Sequence, residues 1–475
     1  MLTDSLQTST RGLKLSQTVA IISFFLLFPG YLFYHQSVAM GLIPPFAAGL
    51  FGYVSLGALL VLLTLLPWNT GWLKKIIGNR YVLWVLAFLF YTSAWTLAHY
   101  LFSSGDYITK AGLQSLETII FWSCLFLIGL ILPLEAGTLR WSFFISFIAI
   151  FCFLLYFSIS TGETMYNARR LYGNTTDVST YQGYARSGLI TLLLLMAVFN
   201  SFRSRAFFIL GGVFVLYLLI SRSDFYAFLA LSVVFCIVSG IKQPRYFLLL
   251  LLVSLEVFIL ATPDVAPRIE VFVEALSTDE VTQAPASDGD VQTTVPGEAS
   301  PVHRPPQPPD PARAGTRPPP DETAELPRLS RQFEVLDFSS SKSWVDRLSL
   351  QRKALEQIAE NPLMGRFGGH VLREDTGRYA KGHTGRYAHN ALSAWVGYGL
   401  AGFLVYVFLT LSGFLVPARQ VVLKQQDAPL WTFAFMLNFV CLLLIIVSKP
   451  VYWPLPALGW GVLAQALLNP VAGRN

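Results

Sequence analysis

The sequence predicts an all-α polytopic membrane protein of about twelve transmembrane helices, with one large, partly helical extramembrane loop. Three observations predict it. The 475 residues are 54% hydrophobic and only 13% charged, with 37 Phe, a balance that soluble domains of this size do not show. Apolar runs recur near the length of about 20 residues that a bilayer demands. Basic residues fall in alternate short connections, as they do where loops stay on the cytoplasmic side.

In chain order the candidate spans are 17–36, 43–67, 81–102, 112–134, 141–161, 186–202, 206–221, 223–240, 246–262, 390–417, 429–448 and 451–468. The first run is too long for the core of a signal peptide and no small-residue cleavage pattern follows it, so it reads as a retained span and the mature protein is expected to start near Met1. Pro44-Pro45 and the pair Pro454 and Pro456 read as kinks. Cys124, Cys152, Cys236 and Cys441 all fall in apolar runs and read as small buried hydrophobes, with no disulfide framework.

With the N-terminus placed inside, the inward connections carry Lys74/Lys75/Arg80, Arg140, Arg203/Arg205, Lys242/Arg245, Arg419/Lys424 and Arg474. Both termini are then cytoplasmic, and the formal net charge of +6 is absorbed by these loops rather than pointing to nucleic acid. The outward pieces are a short loop near Asp106, the loop 162–185, the polar knot at 221–224, and the long segment 263–389. The chain thus divides into a membrane domain of nine spans (1–262), an extracytoplasmic loop (263–389), and three closing spans (390–475). Within the loop, 276–327 is rich in Pro and acidic residues, with too little apolar surface to fold. Residues 343–362 follow a helical period through Leu348, Leu350, Ala354, Leu355 and Ile358, ended by Asn361-Pro362 and Gly365.

Ionisable residues at span ends are costly and therefore informative. Glu117, Arg186, Arg222, Asp224, Glu256, Arg347 and His389 all map to the outward side. Several Arg and one membrane-edge His form a site suited to phosphate, because guanidinium forks bind it bidentately and stay ionised where water is scarce. Blander readings stand beside this one: Arg186 and Arg222 as headgroup anchors, Arg222 with Asp224 as a structural pair, Glu117 and Glu256 as interhelical hydrogen-bonding groups. His370, His383 and His389 lack Cys or carboxylate partners at regular spacing, so neither a metal site nor a cofactor is expected.

Ser221-Arg222 at an outer span end, Arg347, then Ala354 through Gly365 (ALEQIAENPLMG), His389-Asn390 and Gly399-Leu400-Ala401-Gly402 together resemble the bacterial O-antigen ligase and O-antigen polymerase superfamily. The architecture resembles it over the whole chain, the motifs mainly over 221–225 and 346–402. The chain departs from the family at Gln351 and Arg352, where an aromatic residue is common, and in its Pro-rich insertion. The resemblance implies a GT-C-like fold in the bacterial inner membrane and metal-independent, inverting glycosyl transfer at the periplasmic face. The donor it implies is a glycan on undecaprenyl pyrophosphate, and the acceptor a hydroxyl of lipid A-core or of another glycan, with membrane lipids as surroundings.

Carried over by position, Arg222 and Arg347, with Arg186 beside them, hold the pyrophosphate, His389 serves the acceptor hydroxyl, and Asn390, Asp224 and Glu117 support. An Arg-x10-Gly pattern described for polymerases occurs once, from Arg366 to Gly377, and not in the 162–185 loop, which favours ligase over polymerase. Two other classes compete: a transporter or flippase of lipid-linked glycan, with charges at mid-bilayer, and a non-catalytic scaffold, in which the Arg and His residues would be replaceable.

Overall fold

The computed structural model describes residues 2–44, 49–66, 70–103, 106–161, 166, 181–219, 221–261, 342–368, 388, 390–423 and 428–469. Among them all regular structure is helical. A helix pairs its backbone groups within one segment, the solution that long runs of Leu, Phe, Ile and Val require where no water is at hand.

Each apolar run forms a helix. The first yields α1 (Leu2–Leu27) and α2 (Pro29–Ala39), and the others α3 (Gly49–Leu65), α5 (Arg80–Phe102), α6 (Asp106–Ile131), α7 (Gly137–Thr161), α8 (Tyr181–Val198), α9 (Phe202–Leu218), α10 (Arg222–Gly240), α11 (Arg245–Ala261), α13 (Leu392–Ala418), α14 (Pro429–Val447) and α15 (Leu455–Leu468). Two helices lie outside those runs, α4 (Thr70–Gly78) and α12 (Lys342–Glu360). Among the described residues six helices are long and apolar enough to cross a membrane, and the bent pair α1–α2 makes a seventh. The number is below twelve because the apolar stretches of α3, α8 and α15 have only 10–17 residues, and α9 and α11 have 17 each.

Helix breaks fall where backbone chemistry demands them, and not all where proline suggested. α1 and α2 meet at 42° across Phe28, because Pro29 has no N–H to continue the ladder. Pro44 lies in the connection before α3 and bends no helix; Pro45 is outside the described residues. Pro454 and Pro456 occupy the N-cap and first turn of α15, where a missing N–H costs nothing, so they start a helix rather than kink one. The break within a span is at Gly399 of α13. Of the cysteines, Cys124, Cys236 and Cys441 are buried as expected, whereas Cys152 is exposed on α7.

The chain separates into two compact units, 1–261 with 346–475, and 262–345. The second is described only over its last residues, 342–345, which open α12, and the Pro-rich 276–327 lies outside the described residues. In the first unit α15 is buried over most of its length and lies against α6 where Gly129 meets Gly461; a Cβ on Gly461 would stand 2.2 Å from the Phe126 carbonyl. Such small-residue contacts replace hydrophobic driving force inside lipid. Asn438 of α14 fixes the neighbouring seam, donating to the carbonyls of Ala434 at 2.8 Å and Gly459 at 3.1 Å. α8, α10 and α14 all pack against one another, and this triangle carries the site.

Candidate functional site

At one end of the triangle the chain places charges that a bilayer-embedded protein ordinarily avoids. Asp224, in the first turn of α10, is fully buried at 0% exposure, and Lys449, in the turn between α14 and α15, is only 5% exposed. The Ser221 hydroxyl donates to Asp224 Oδ2, and the N-terminal position of Asp224 on α10 favours a carboxylate. Burial pushes the Lys449 ammonium down from 10.5 to about 8; the Asp224 carboxylate opposes this, and the guanidiniums of Arg186 and then Arg347 add to it. Charged side chains from α8, α10 and α12 therefore each act on Lys449 in the α14–α15 turn.

Trp453 is the floor of the cluster. Its buried ring has the Arg186 guanidinium carbon 5.7 Å from its centroid and the Lys449 ammonium 6.0 Å away. A ring face stabilises a cation without neutralising it, so the two charges are held in place and stay available to an anion. Three buried polar atoms of the cluster have no hydrogen-bond partner among the described residues: Asp224 Oδ1, Arg186 Nε and Trp453 Nε1. Leaving such atoms unmatched costs about 1–3 kcal/mol each, which a polar ligand removes.

Two backbone devices position the remaining elements. The first is a lock between the turn after α12 and the break in α13. Gly365 has φ +64° and Gly399 φ +67°, and between them the Arg366 N–H donates to the Val396 carbonyl at 2.8 Å and the Leu400 N–H to the Leu363 carbonyl at 3.0 Å. A Cβ on Gly365 would lie 2.3 Å from the Trp395 carbonyl, and one on Gly399 2.6 Å from the Leu363 carbonyl, so both positions require glycine. The carbonyls freed by the break are satisfied from α5: Trp95 Nε1 donates to Gly397 at 3.1 Å and the Tyr91 hydroxyl to Tyr398 at 2.8 Å. Trp395 Nε1 closes the lock by donating to the Pro362 carbonyl at 2.7 Å. Ala354 and Ile358 of α12 pack against Ala388 and Val396, which fixes the helix that carries Arg347. Leu348 and Leu355, expected on the apolar face of that helix, are exposed instead.

The second device ties the Lys449 turn to the start of α13. The Val451 N–H donates to Ser393 Oγ at 2.7 Å, and Ser393 donates in turn to the Asn390 carbonyl at 2.7 Å. Asn390, one residue before the N-cap Ala391, accepts from the Leu392 N–H through its Oδ1 at 3.0 Å and so satisfies the first free N–H of α13.

Of the site residues expected from the sequence, Arg186, Asp224 and Arg347 all lie within electrostatic reach of Lys449. Arg222 is exposed at the first position of α10, two residues from Asp224. Glu117 is exposed on α6, away from the triangle, and no described hydrogen bond or ion pair joins it to the cluster. His389 lies outside the described residues, between Ala388 and Asn390, as do His370 and His383. Sequence reasoning missed Lys449, Trp453 and Ser393. A signal for the first was there: Lys449 is the one charged residue in the two-residue break between the apolar runs 429–448 and 451–468.

Residues 205–407 match the family model described as O-antigen ligase. The matched stretch begins in α9 and ends in α13, so it contains Ser221, Arg222, Asp224, Arg347, His389 and Asn390, while Arg186, Lys449 and Trp453 lie outside it. Comparison with curated proteins and with solved structures gives no match.

Proposed function

We propose that the chain, whose residues 205–407 match the O-antigen ligase family model, acts as a member of that superfamily and transfers a glycan from undecaprenyl pyrophosphate to an acceptor hydroxyl, with lipid A-core as the acceptor. The observation that carries this reading is the convergence of Arg186, Arg347 and Lys449 around Asp224 and Trp453. Cations fixed in a dry pocket match a group that gains negative charge as its bond to the sugar breaks.

In the proposed reaction the acceptor oxygen attacks the anomeric carbon as the bond to the pyrophosphate oxygen breaks, and the configuration inverts. The hydroxyl proton passes to His389, an imidazole able to take it near neutral pH. Undecaprenyl pyrophosphate leaves onto Arg186, Arg347 and Lys449, with Arg222 at the rim. Asp224 is a positioning residue: its carboxylate holds Lys449 protonated against the pull of burial. Asn390 sets the start of α13 and, through Ser393, the turn bearing Lys449. These side chains do the work that a divalent cation performs in many pyrophosphate enzymes, so the step as proposed needs none.

The membrane arrangement belongs to the same proposal. Twelve crossings, with both termini in the cytoplasm and 263–389 in the periplasm, put the cluster at the periplasmic end of α8 and α10. The helices formed by all twelve apolar runs, and the basic residues between alternate pairs, support that topology.

The test is deletion of the gene in its host, followed by complementation with wild type, Arg347→Ala, Lys449→Met and His389→Ala. Ligation predicts that the deletion leaves the lipid core without long glycan while lipid-linked polymer accumulates, and that each variant fails to restore transfer. A deletion strain whose core carries single repeat units would identify a polymerase instead. Full transfer by a normally expressed His389→Ala variant would remove the proposed base.

A further inference from the structure

We infer that the opposite end of the same three helices carries a second anion site, which takes the phosphodiester headgroup of an anionic membrane phospholipid. The site is a cavity of about 330 Å³ between the α8–α9 turn and the α10–α11 turn, closed by Phe435 of α14 and by Val421. α8 and α10 have 18 and 19 residues, so at about 1.5 Å rise per residue this cavity lies some 27 Å from the Arg186 and Asp224 end. It cannot be part of the transfer site.

Four cations line it, Arg203, Arg205, Lys242 and Arg245, and none of its described lining residues is acidic. They are not a row of mobile surface charges. Arg205 is 3% exposed, its Nε donates to the Met196 carbonyl at 3.2 Å, and its guanidinium lies 5.2 Å from the centroid of the Phe235 ring. Arg245 is oriented by Gln243, whose Oε1 accepts from both Nε at 3.1 Å and Nη2 at 2.7 Å, and its guanidinium carbon stands 4.6 Å above the Phe202 ring. Two guanidiniums therefore lie on aromatic faces before any ligand arrives, that of Arg205 buried and that of Arg245 exposed, with Arg203 and Lys242 also exposed at the rim. Fixed forks of this kind select phosphate oxygens.

Lipid is the source that the surroundings favour over a soluble phosphate. Ile237 and Ile241 on one flank and Phe247 and Leu248 on the other are exposed apolar side chains, the surface that acyl chains cover. Basic pockets between helices at a membrane face are built for such headgroups.

The experiment uses the full chain purified in neutral detergent, titrated with phosphatidylglycerol and, separately, with phosphatidylcholine, and read by native mass spectrometry. One phosphatidylglycerol is expected to be retained in preference to phosphatidylcholine, and inorganic phosphate in the millimolar range is expected not to displace it. The double variant Arg203→Gln/Lys242→Gln is expected to retain it about tenfold less well, since each removed cation near an anionic group weakens binding several-fold. Both positions are exposed, so the variant should melt with the wild type; Arg245→Gln is a second variant should it not. Equal retention of the two lipids, unchanged retention in both variants, or ready displacement by inorganic phosphate would each overturn the proposal, the last by making the ligand a soluble anion.

Discussion

Lys449→Met separates the cost of the buried charge from its use. The ammonium falls from 10.5 to about 8 in the folded protein. Each pH unit of that displacement corresponds to about 1.4 kcal/mol, so folding disfavours the charged side chain by about 3 kcal/mol near neutral pH. The lost attraction to Asp224 is already inside this figure, because it is one of the contributions that set the displacement. Methionine is close to a neutral lysine in size and shape, so the variant should be more stable than wild type by up to about 3 kcal/mol near pH 7. The sign follows from proton counting: between about 8 and 10.5 the unfolded chain binds more protons at this site than the folded one, and wild-type stability rises with pH across that window. The advantage of the variant should therefore shrink as pH is raised through it. Thermal unfolding in one detergent at several pH values measures this, and glycan transfer should fall roughly a hundredfold in the same variant, the scale of removing one charge-stabilising donor. A Met variant that melts below wild type near pH 7 and still transfers at full rate would refute the reading of Lys449 as a strained cation kept for an anion.

Further outcomes follow from the same geometry. In the wild type, donor affinity should weaken as pH rises through about 8, because Lys449 loses its proton there, and Lys449→Met should flatten that limb of the pH profile. Gly399→Ala should lower thermal stability by at least about 1–3 kcal/mol, because its φ of +67° is strained for alanine and the new Cβ meets the Leu363 carbonyl. Asn390→Ala should cost about 1 kcal/mol of stability through the lost hydrogen bond to the Leu392 N–H, and far less transfer than His389→Ala, a difference that parallel melting and transfer assays resolve. Arg347→Lys should retain more transfer than Arg347→Ala but less than wild type, since lysine keeps the charge and loses the fork.

Helix identity was legible in the sequence because a long apolar run has one way to satisfy its backbone in lipid, and each run formed a helix. The helix at 343–362 was legible too, and appears as Lys342–Glu360, since Asn361-Pro362 stops it on local grounds. Crossing number was less legible. Hydropathy does not distinguish α15, short and buried by its neighbours, from a helix that must reach both headgroup layers. Proline also misled: Pro454 and Pro456 begin α15, while α13 breaks at Gly399, where the freed carbonyls find Trp95, Tyr91 and the Arg366 N–H. That break depends on partners as far as 307 residues away in the chain, and no local rule contains them.

The charges of the cluster bear on what the proposed function would ask of Lys449 beside Arg347. A carrier-linked pyrophosphate has two negative charges and gains more as its bond to the sugar breaks. Arg186, Arg347 and Lys449 against Asp224 give the cluster a net charge near +2, which would balance the donor on the proposed reading. When Lys449 is half deprotonated near pH 8 the empty cluster drops below that value. On the proposed reading, a bound anion would raise the proton affinity of Lys449 again, so that above about pH 8 a proton would be taken up as the donor enters. An all-arginine site would hold its charge at every pH and repel itself continuously in a buried place. One lysine, softened by burial and held by Asp224, lets the cluster carry less charge while empty and more when occupied. The Gly365–Gly399 lock and the Ser393 bridge carry no charge themselves, yet they determine that α12 and the Lys449 turn meet at one point.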